Sequence, residues 1–484
     1  MVRGGIFKGY LRNRRIFFIL LGALLVATRL CHVGILWEGD SYPLAAAGQM
    51  LHGKALYREI WFDKPPLLAV AYLLFGAAPG WPLRLFDALY ALLACWIAWR
   101  FARDLWSDAE GMWAAGLLAF FLCFDIPSAA IPVASDLLML APHLAAVWLA
   151  FRRRAFWCGV VAGVAFWINP KGALVAAVCA VWFPAGIPLM AAGFAAVSAA
   201  VVAWLAGTGA LAGYWDEVWR WGRLYAASPF VESPLRNALL RTVNWAGFHI
   251  ALVLAAAWFL VKGKPRDEGA ATLRKRSPDL WRWLAWLFLS LAGVAAGLRF
   301  FPRYYFLLLP VLVMMAARGL ILAGRRRDFL VLLLLIPLTR FGPSYVYALR
   351  DALWRDTAMD RDSRAAARLV RGLARPGDTL FVWGYRPELY PYTHLAAATM
   401  YLDSQMLTGV PADRHLAQSE PVETEAARGR REDLAHSDPT FVIDGLGPYN
   451  PRLAIGRYAD LRAWLAHYRV AARTGETVIY QRVH

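Results

Sequence analysis

Apolar residues in this chain are gathered into blocks of roughly 15–22 residues, the length at which a helix crosses about 30 Å of hydrocarbon. The first block, residues 16–36, follows basic residues and so resembles a signal peptide. It is long for one, however, no small-residue cleavage site follows it, and many more blocks come after it. The pattern therefore predicts an α-helical polytopic membrane protein.

The composition agrees with a membrane protein and excludes other classes. Charged residues make up 18% of the chain, against about a quarter in a soluble protein. The formal net charge of +18 is what an excess of Lys and Arg in cytoplasmic loops produces. Nucleic-acid binding would need a basic patch with stacking aromatic residues on a soluble surface, and the sequence has none. All five cysteines lie in or beside apolar blocks, so neither a disulfide framework nor a CxxC metal site is indicated.

Lys and Arg in the short loops set the orientation of the blocks. They concentrate in residues 3–15, 152–154, 262–276 and 325–327. All four segments face the cytoplasm if the chain crosses the membrane about eleven times, with its N-terminus inside and its C-terminus outside. We therefore predict a multi-pass protein of the cytoplasmic (inner) membrane. The predicted spans are 16–36, 83–102, 111–125, 136–151, 155–168, two within 173–207, 243–261, 283–298, 303–323 and 329–347.

Two stretches depart from a simple span. Residues 67–81 are apolar but short and interrupted by Gly and Pro, which favours an interfacial or re-entrant helix. Residues 173–207 are most simply two spans broken near Pro184-Ala185-Gly186. Since that turn carries no charge, one span remains the alternative.

The last third of the chain has a different pattern. Residues 379–384 and 440–445 read as short buried strands ending in Gly, and the segment around Thr474-Gly475 reads as a hairpin. Helical patterns lie between the strands, which predicts a small soluble α/β domain. We thus expect a transmembrane domain over residues 1–349, with an outer loop at 37–82, and an extracytoplasmic domain over 350–484.

Charged residues on the outer side cluster in the first outer loop. Glu38 and Asp40 follow the first span directly, and Arg58, Asp63 and Lys64 precede a Pro-Pro turn. A carboxylate at such a place can act as a general base, and a lysine can neutralise a phosphate. The alternative is interfacial anchoring, with Asp63 and Arg58 as ordinary surface ion pairs.

Charged or polar residues stand at three further positions beside predicted spans. Asp136 begins the fourth span, where a plain N-cap is the alternative role. Lys171 stands at a span end, where snorkelling is the alternative. Arg303 and Tyr304 could hold a phosphate or could belong to an aromatic belt with one anchoring cation.

These motifs, in this order and on this side of the membrane, resemble the GT-C class of lipid-linked glycosyltransferases. Within that class the chain is most similar to the bacterial aminoarabinose transferase and protein O-mannosyltransferase relatives, the glycosyltransferase family 39-like proteins. The segments that carry the resemblance are ALYREIWFDKPPLL at 55–68, RLFDALYALLACWIAWRFARDLW at 84–106, RFFPRYYFLLLP at 299–310 and DTLFVWGYRPELY at 378–390. Asp136 matches the position of a second outer acid of the family.

The resemblance implies transfer of a sugar from a polyprenyl-phosphate carrier to a lipid, glycan or protein acceptor at the outer face. It implies that Asp40 or Glu38 is the catalytic base. Both stay open because the family's Asp-Glu pair is here Glu38-Gly39-Asp40-Ser41, about one residue short of the usual spacing. In the family's Glu-Lys-Pro motif, Asp63 replaces the Glu.

The other candidate residues divide between donor and substrate. We expect Lys64, Arg303 and Tyr304 to bind the donor phosphate, and Asp63, Asp136 and Arg58 to bind substrate. No cofactor is certain, although Asp40 and a substrate phosphate could together hold Mg²⁺ or Mn²⁺. The competing hypothesis is a transporter or flippase of a lipid-linked saccharide. Such proteins tend to show inverted repeats and midplane charges, whereas here the charges lie at one face and no repeat is visible.

Overall fold

The computed structural model describes residues 14–227, 233–263, 278–352, 354–410 and 418–483. The basic residues Arg3, Lys8 and Arg12, and those of 264–276, lie outside the described residues. The chain divides into two compact units, each assembled from three segments. The helical unit comprises Met1–Val33, Arg84–Ala203 and Val231–Asp351, and the mixed unit comprises Gly34–Leu83, Trp204–Phe230 and Ala352–His484.

Helices of the helical unit follow the apolar blocks closely. Ala155–Ile168 coincides with a predicted span, and Trp81–Leu105 extends the predicted 83–102 by one turn or less at each end. The remaining α-helices are Arg14–Leu30, Asp108–Cys123, Pro127–Ala130, Ser135–Leu138, Leu140–Phe151, Gly172–Trp182, Ile187–Gly207, Pro234–Phe248, Ile250–Lys262, Leu280–Ala295, Leu309–Leu322, Arg327–Leu332, Leu335–Phe341 and Pro343–Leu349, with short 3₁₀ turns at Pro184–Gly186, Pro302–Leu307 and Gly324–Arg326.

Three helical stretches among the described residues are long and apolar enough to cross a membrane: Trp81–Leu105, Pro184–Gly207 and Gly324–Leu349. A fourth is present if Pro234–Phe248 and Ile250–Lys262 count as one broken span. Other apolar helices are shorter, between 10 and 17 residues. The chain is thus a mostly helical, multi-pass membrane protein, and the number of eleven spans remains a prediction.

The irregular stretches have local causes. Residues 67–81 contain a helix of only 8 residues, Pro66–Leu73, which is too short to span. The break predicted within 173–207 is present as the 3₁₀ turn Pro184–Gly186. Proline has no backbone N–H to donate the hydrogen bond that would continue the preceding helix.

The span predicted at 243–261 is not one straight helix. The chain bends there by 90° at His249, whose backbone leaves the helical region (φ −100°, ψ 19°). The buried His249 ring stacks against Trp245 and Phe121 with centroid distances of 4.0 and 4.6 Å, and its Nε2 lies 3.4 Å from Asp125 Oδ2. A buried polar ring with these partners specifies a bend that hydropathy does not reveal.

The mixed unit contains a five-stranded sheet in the order β2-β1-β3-β5-β4. β1 pairs in parallel with β2 and β3, and β5 pairs antiparallel with β3 and β4. The strands are β1 (Thr379–Trp383), β2 (Ala396–Ala397), β3 (Phe441–Asp444), β4 (Tyr468–Arg473) and β5 (Val478–Arg482). β1, β3 and the β4–β5 hairpin occur where the sequence predicts them. Hydrophobic runs in β1 and β3 are buried on both faces, as expected of central strands.

Helices of the mixed unit come from all three of its segments. They are Glu38–Leu51, Pro66–Leu73, Leu211–Tyr214, the π-helix Trp215–Arg220, Trp221–Ala227, Ala358–Leu373, Leu389–Thr393, Gln405–Thr408, Glu425–Ala435 and Arg462–Leu465, with 3₁₀ turns at Arg355–Thr357, Pro451–Leu453, Ile455–Arg457 and Ala459–Leu461. One hydrophobic cluster contains Trp61 from the first segment, Trp221 from the second, and Phe381 and Trp383 from the third. Residues of the segment Gly34–Leu83 therefore share a core with the C-terminal segment.

Candidate functional site

Asp40 lies in the first turn of the helix Glu38–Leu51, where the helix dipole favours a negative charge. Its side chain is 0% exposed, and its Oδ1 accepts a 2.8 Å hydrogen bond from the Tyr72 hydroxyl. Glu38, two residues earlier, is exposed. The structure thus separates the two candidate bases by their surroundings, since only Asp40 is held inside the fold. Tyr72 lies in the apolar helix Pro66–Leu73, where the sequence carries no signal for its role.

Asp63 and Lys64 form a close pair just before the Pro-Pro turn. Lys64 Nζ lies 2.5 Å from Asp63 Oδ2, and the two side chains are 43% and 12% exposed. The Tyr57 hydroxyl donates a 2.6 Å hydrogen bond to the Lys64 carbonyl. Pro65 is extended (φ −59°, ψ 151°) and Pro66 begins the next helix, so the backbone around Lys64 is tightly constrained.

Arg58 has no direct part in that pair in the described structure. It donates to Glu59 at 2.9 Å and to the Thr208 carbonyl at 3.1 Å, with 56% of its side chain exposed. An ordinary surface ion pair is therefore present at Arg58, with Glu59 as the partner.

Two buried carboxyls face the Asp63–Lys64 pair and were not predicted from the sequence. Glu217 accepts a 2.6 Å hydrogen bond from the Phe62 amide, and burial raises its pKa to about 9. Burial likewise raises the pKa of Asp403 to about 7, with the nearby Asp63 charge adding to the shift. Glu217 sits in a Trp-rich stretch that reads as an interfacial segment, and Asp403 has no flanking motif. Both are brought to Asp63 by long-range folding alone.

A second charged cluster lies within the helical unit. Asp136 Oδ1 lies 3.2 Å from Asn169 Nδ2 and 3.4 Å from Lys171 Nζ. Lys171 Nζ lies 3.2 Å from the centre of the Tyr304 ring, a cation–π contact. Arg303 acts electrostatically on Lys171. The structure therefore gathers Asp136, Arg303 and Tyr304, predicted separately, around Lys171.

The simpler roles considered for Asp136 and Lys171 do not hold. Ala134 is the N-cap of the helix Ser135–Leu138, and no side chain caps that helix, so Asp136 is not an N-cap residue. The Lys171 side chain is only 16% exposed and is paired, which differs from a snorkelling lysine whose ammonium reaches water.

The predicted residues thus fall into two groups, one in each unit. Glu38, Asp40, Arg58, Asp63 and Lys64 belong to the mixed unit, whereas Asp136, Arg303 and Tyr304 belong to the helical unit. Throughout the described part of the chain, no group of three or more His, Cys, Asp or Glu side chains is placed to hold a metal ion. A divalent ion at Asp40 would therefore need substrate oxygens to complete its ligands.

No family model matches the sequence, and no curated protein matches it. Solved structures do match. ArnT from Cupriavidus metallidurans in the apo state aligns with a TM-score of 0.58 at 15% identity, covering 97% of this chain and 98% of that one. The same protein bound to undecaprenyl phosphate gives 0.56 at 16% identity, again covering 97% and 98%. The apo oligosaccharyltransferase of Archaeoglobus fulgidus gives 0.53 at 16%, covering 95% and 72%. The chain therefore has the GT-C fold, similar to that of ArnT, as the motifs predict.

Proposed function

We propose that this protein is a glycosyltransferase that moves a sugar from a polyprenyl-phosphate donor to a lipid, glycan or protein acceptor at the outer face of the cytoplasmic membrane. One observation carries the proposal: the fold matches ArnT over nearly the full length of both chains, including the form bound to undecaprenyl phosphate. Two charged clusters in the expected sequence motifs supply the chemistry that such a transfer needs.

In the proposed reaction, an acceptor hydroxyl or amine attacks the anomeric carbon while the bond from that carbon to the phosphate oxygen breaks. Asp40 takes the acceptor proton, and its buried position with Tyr72 keeps the carboxylate oriented. The electron pair of the broken bond stays on the phosphate. Lys64 stabilises that charge, with Arg303 and Tyr304 as further donor-phosphate residues. Asp63, Asp136 and Arg58 are proposed to contact substrate.

Replacement of Lys64 by Ala is expected to weaken binding of undecaprenyl phosphate by about tenfold or more. A charge-assisted contact to phosphate contributes roughly 1.5–3 kcal/mol, and the Lys64 side chain is accessible for it. The measurement is lipid titration of the purified protein in nanodiscs. Arg220→Ala is the matched control, because Arg220 is an exposed cation of the same unit paired with Asp216. Equal affinities for Lys64→Ala and the control would remove Lys64 from the donor site.

The proposed topology has eleven spans, the N-terminus inside and the C-terminus outside. It rests on the basic segments 152–154, 262–276 and 325–327. Reporter fusions after Arg154 and after residue 360 are expected to lie on opposite sides of the membrane. Fusions that report the same side would contradict both the threading and an outer-face site.

The proposed divalent ion can be tested by measuring lipid binding with and without the ion. Addition of Mg²⁺ or Mn²⁺ should tighten undecaprenyl phosphate binding in the native protein and not in Asp40→Asn, if Asp40 and the phosphate share the ion.

A transporter or flippase would move lipid-linked saccharide between leaflets without forming a glycosidic bond. Product analysis therefore distinguishes it from the transferase.

A further inference from the structure

We infer that Glu217 is a positioning residue that holds the segment Trp61–Lys64, and with it the Lys64 ammonium, in the arrangement that binds the donor phosphate. The inference rests on the proposed function of Lys64. It concerns a carboxyl that is 153 positions away from Lys64 in the chain.

The backbone of this segment is held from four different places in the mixed unit. The Trp61 amide donates to the Met400 carbonyl at 2.8 Å, and the Tyr42 hydroxyl donates to the Trp61 carbonyl at 2.7 Å. The Phe62 amide donates to Glu217 Oε2 at 2.6 Å. The Tyr57 hydroxyl donates to the Lys64 carbonyl at 2.6 Å. Backbone groups of Trp61, Phe62 and Lys64 are thus hydrogen-bonded to residues at four separate positions in the chain.

Glu217 is the carboxyl among these partners, and its surroundings are unusual for a carboxyl. It lies in the π-helix Trp215–Arg220, a rare geometry that is frequent at functional sites, and its residue is 2% exposed. Phe62, which it binds, is 0% exposed. A buried amide without an acceptor costs free energy, so the position requires an acceptor that reaches it.

Cation–π and aromatic contacts hold the Trp61 side chain of this segment. The Arg430 guanidinium lies 4.7 Å from the Trp61 ring centroid and 5.6 Å from that of Trp221. Trp61 and Trp221 meet edge to face with centroids 6.2 Å apart. The helices Trp215–Arg220 and Trp221–Ala227 therefore contribute Glu217 and Trp221, respectively, to the support of the segment.

Burial raises the pKa of Glu217 to about 9, so the group is neutral at pH 7 and accepts the Phe62 hydrogen bond as an uncharged carboxyl. As the pH rises through about 9, ionisation would place an additional negative charge in a buried site beside Asp63. Titratable and charged groups that face Glu217 are Tyr42, Tyr57, Asp63, Asp216, Tyr401 and Arg430.

The test compares Glu217→Ala with Glu217→Gln in the full-length protein in nanodiscs, titrated with undecaprenyl phosphate at pH 7. The Gln amide oxygen still accepts from Phe62 and carries no charge, so Glu217→Gln is expected to bind like the native protein. Glu217→Ala is expected to bind about fivefold more weakly or worse, because fewer molecules hold Lys64 in place. Asp216→Ala, the neighbouring exposed carboxylate, is the control with native affinity.

The pH dependence of lipid affinity distinguishes a positioning role of Glu217 from a purely structural one, which would not change it. Native affinity is expected to fall as the pH rises through about 9, beyond any fall seen in Glu217→Gln, while other ionisations are common to both proteins. Parallel pH profiles, or a Gln variant as weak as the Ala variant, would overturn the inference.

The outcomes also separate this inference from the proposed function. If Lys64→Ala weakens lipid binding and Glu217→Ala does not, the donor site stands and only the positioning role is wrong. If Lys64→Ala has no effect, the phosphate site itself is wrong and Glu217 has nothing to position.

Discussion

Replacement of Asp40 by Asn is expected to slow sugar transfer by about 10²–10⁴, the contribution of a positioned general base. Asn has the same shape, and its side-chain oxygen can still accept the hydrogen bond from Tyr72, so folding should be retained. Only the capacity to take the acceptor proton is removed. The measurement is single-turnover transfer by protein saturated with donor, which separates loss of chemistry from loss of binding.

Glu38→Gln is the matched control, since Glu38 lies two residues away and is exposed. It should retain nearly full activity. If instead Glu38→Gln is inactive and Asp40→Asn is active, the register of the motif is shifted and Glu38 is the base. If neither substitution matters, the resemblance has misidentified the site and the transporter hypothesis gains support.

Removal of Arg29 is expected to destabilise the fold by about 3–5 kcal/mol, the usual effect of breaking a buried ion pair by removing one of its members. Arg29 Nε lies 3.0 Å from Asp87 Oδ2, and both side chains are 0% exposed. The Arg29 guanidinium also donates to the carbonyls of Leu122 and Ala130, at 2.8 and 3.2 Å. Arg29→Ala therefore leaves a carboxylate and two carbonyls without this donor inside the helical unit.

Arg14→Ala provides the comparison, because Arg14 pairs with Asp108 at the same 3.0 Å distance but with side chains 55% and 36% exposed. Its loss should cost about 1 kcal/mol or less. Denaturant unfolding in detergent measures both variants. A double variant, Arg29→Met with Asp87→Leu, should recover part of the loss since no charge is left unpaired. Equal stabilities of Arg29→Ala and Arg14→Ala would show that the buried pair contributes little.

Arg29 also illustrates what a charge within an apolar block reveals: the sequence shows the cation but does not identify its partner. The sequence places it near the outer end of the first predicted span, where a cation is uncommon. Nothing local identifies Asp87 as its partner, because the two residues are 58 positions apart. A pairing of this kind depends on how two helices pack, and helix packing is not encoded in either helix alone.

Much of the helical pattern follows from local chemistry. The helix Ala155–Ile168 is bounded by a triple arginine and by Asn169-Pro170, and the break at Pro184–Gly186 follows from a proline nitrogen that carries no hydrogen to donate. The β4–β5 hairpin likewise occurs at its predicted turn. The 90° bend at His249 escapes the same reasoning, since it depends on Asp125 and Phe121 from a distant helix and loop.

The candidate residues divide in the same way. Neighbouring residues were enough to predict that acids and cations gather after the first apolar block and that Glu38 and Asp40 follow that block directly, because these are properties of the local sequence. The folded chain was needed to show that Tyr72 hydrogen-bonds to Asp40, that Lys171 joins Asp136 to Tyr304, and that Glu217 reaches the Phe62 amide. Those contacts link residues between 32 and 155 positions apart. Hydropathy and turn rules act over one or two turns of chain, whereas burial of a polar group requires whichever partner the folded path brings within about 3 Å.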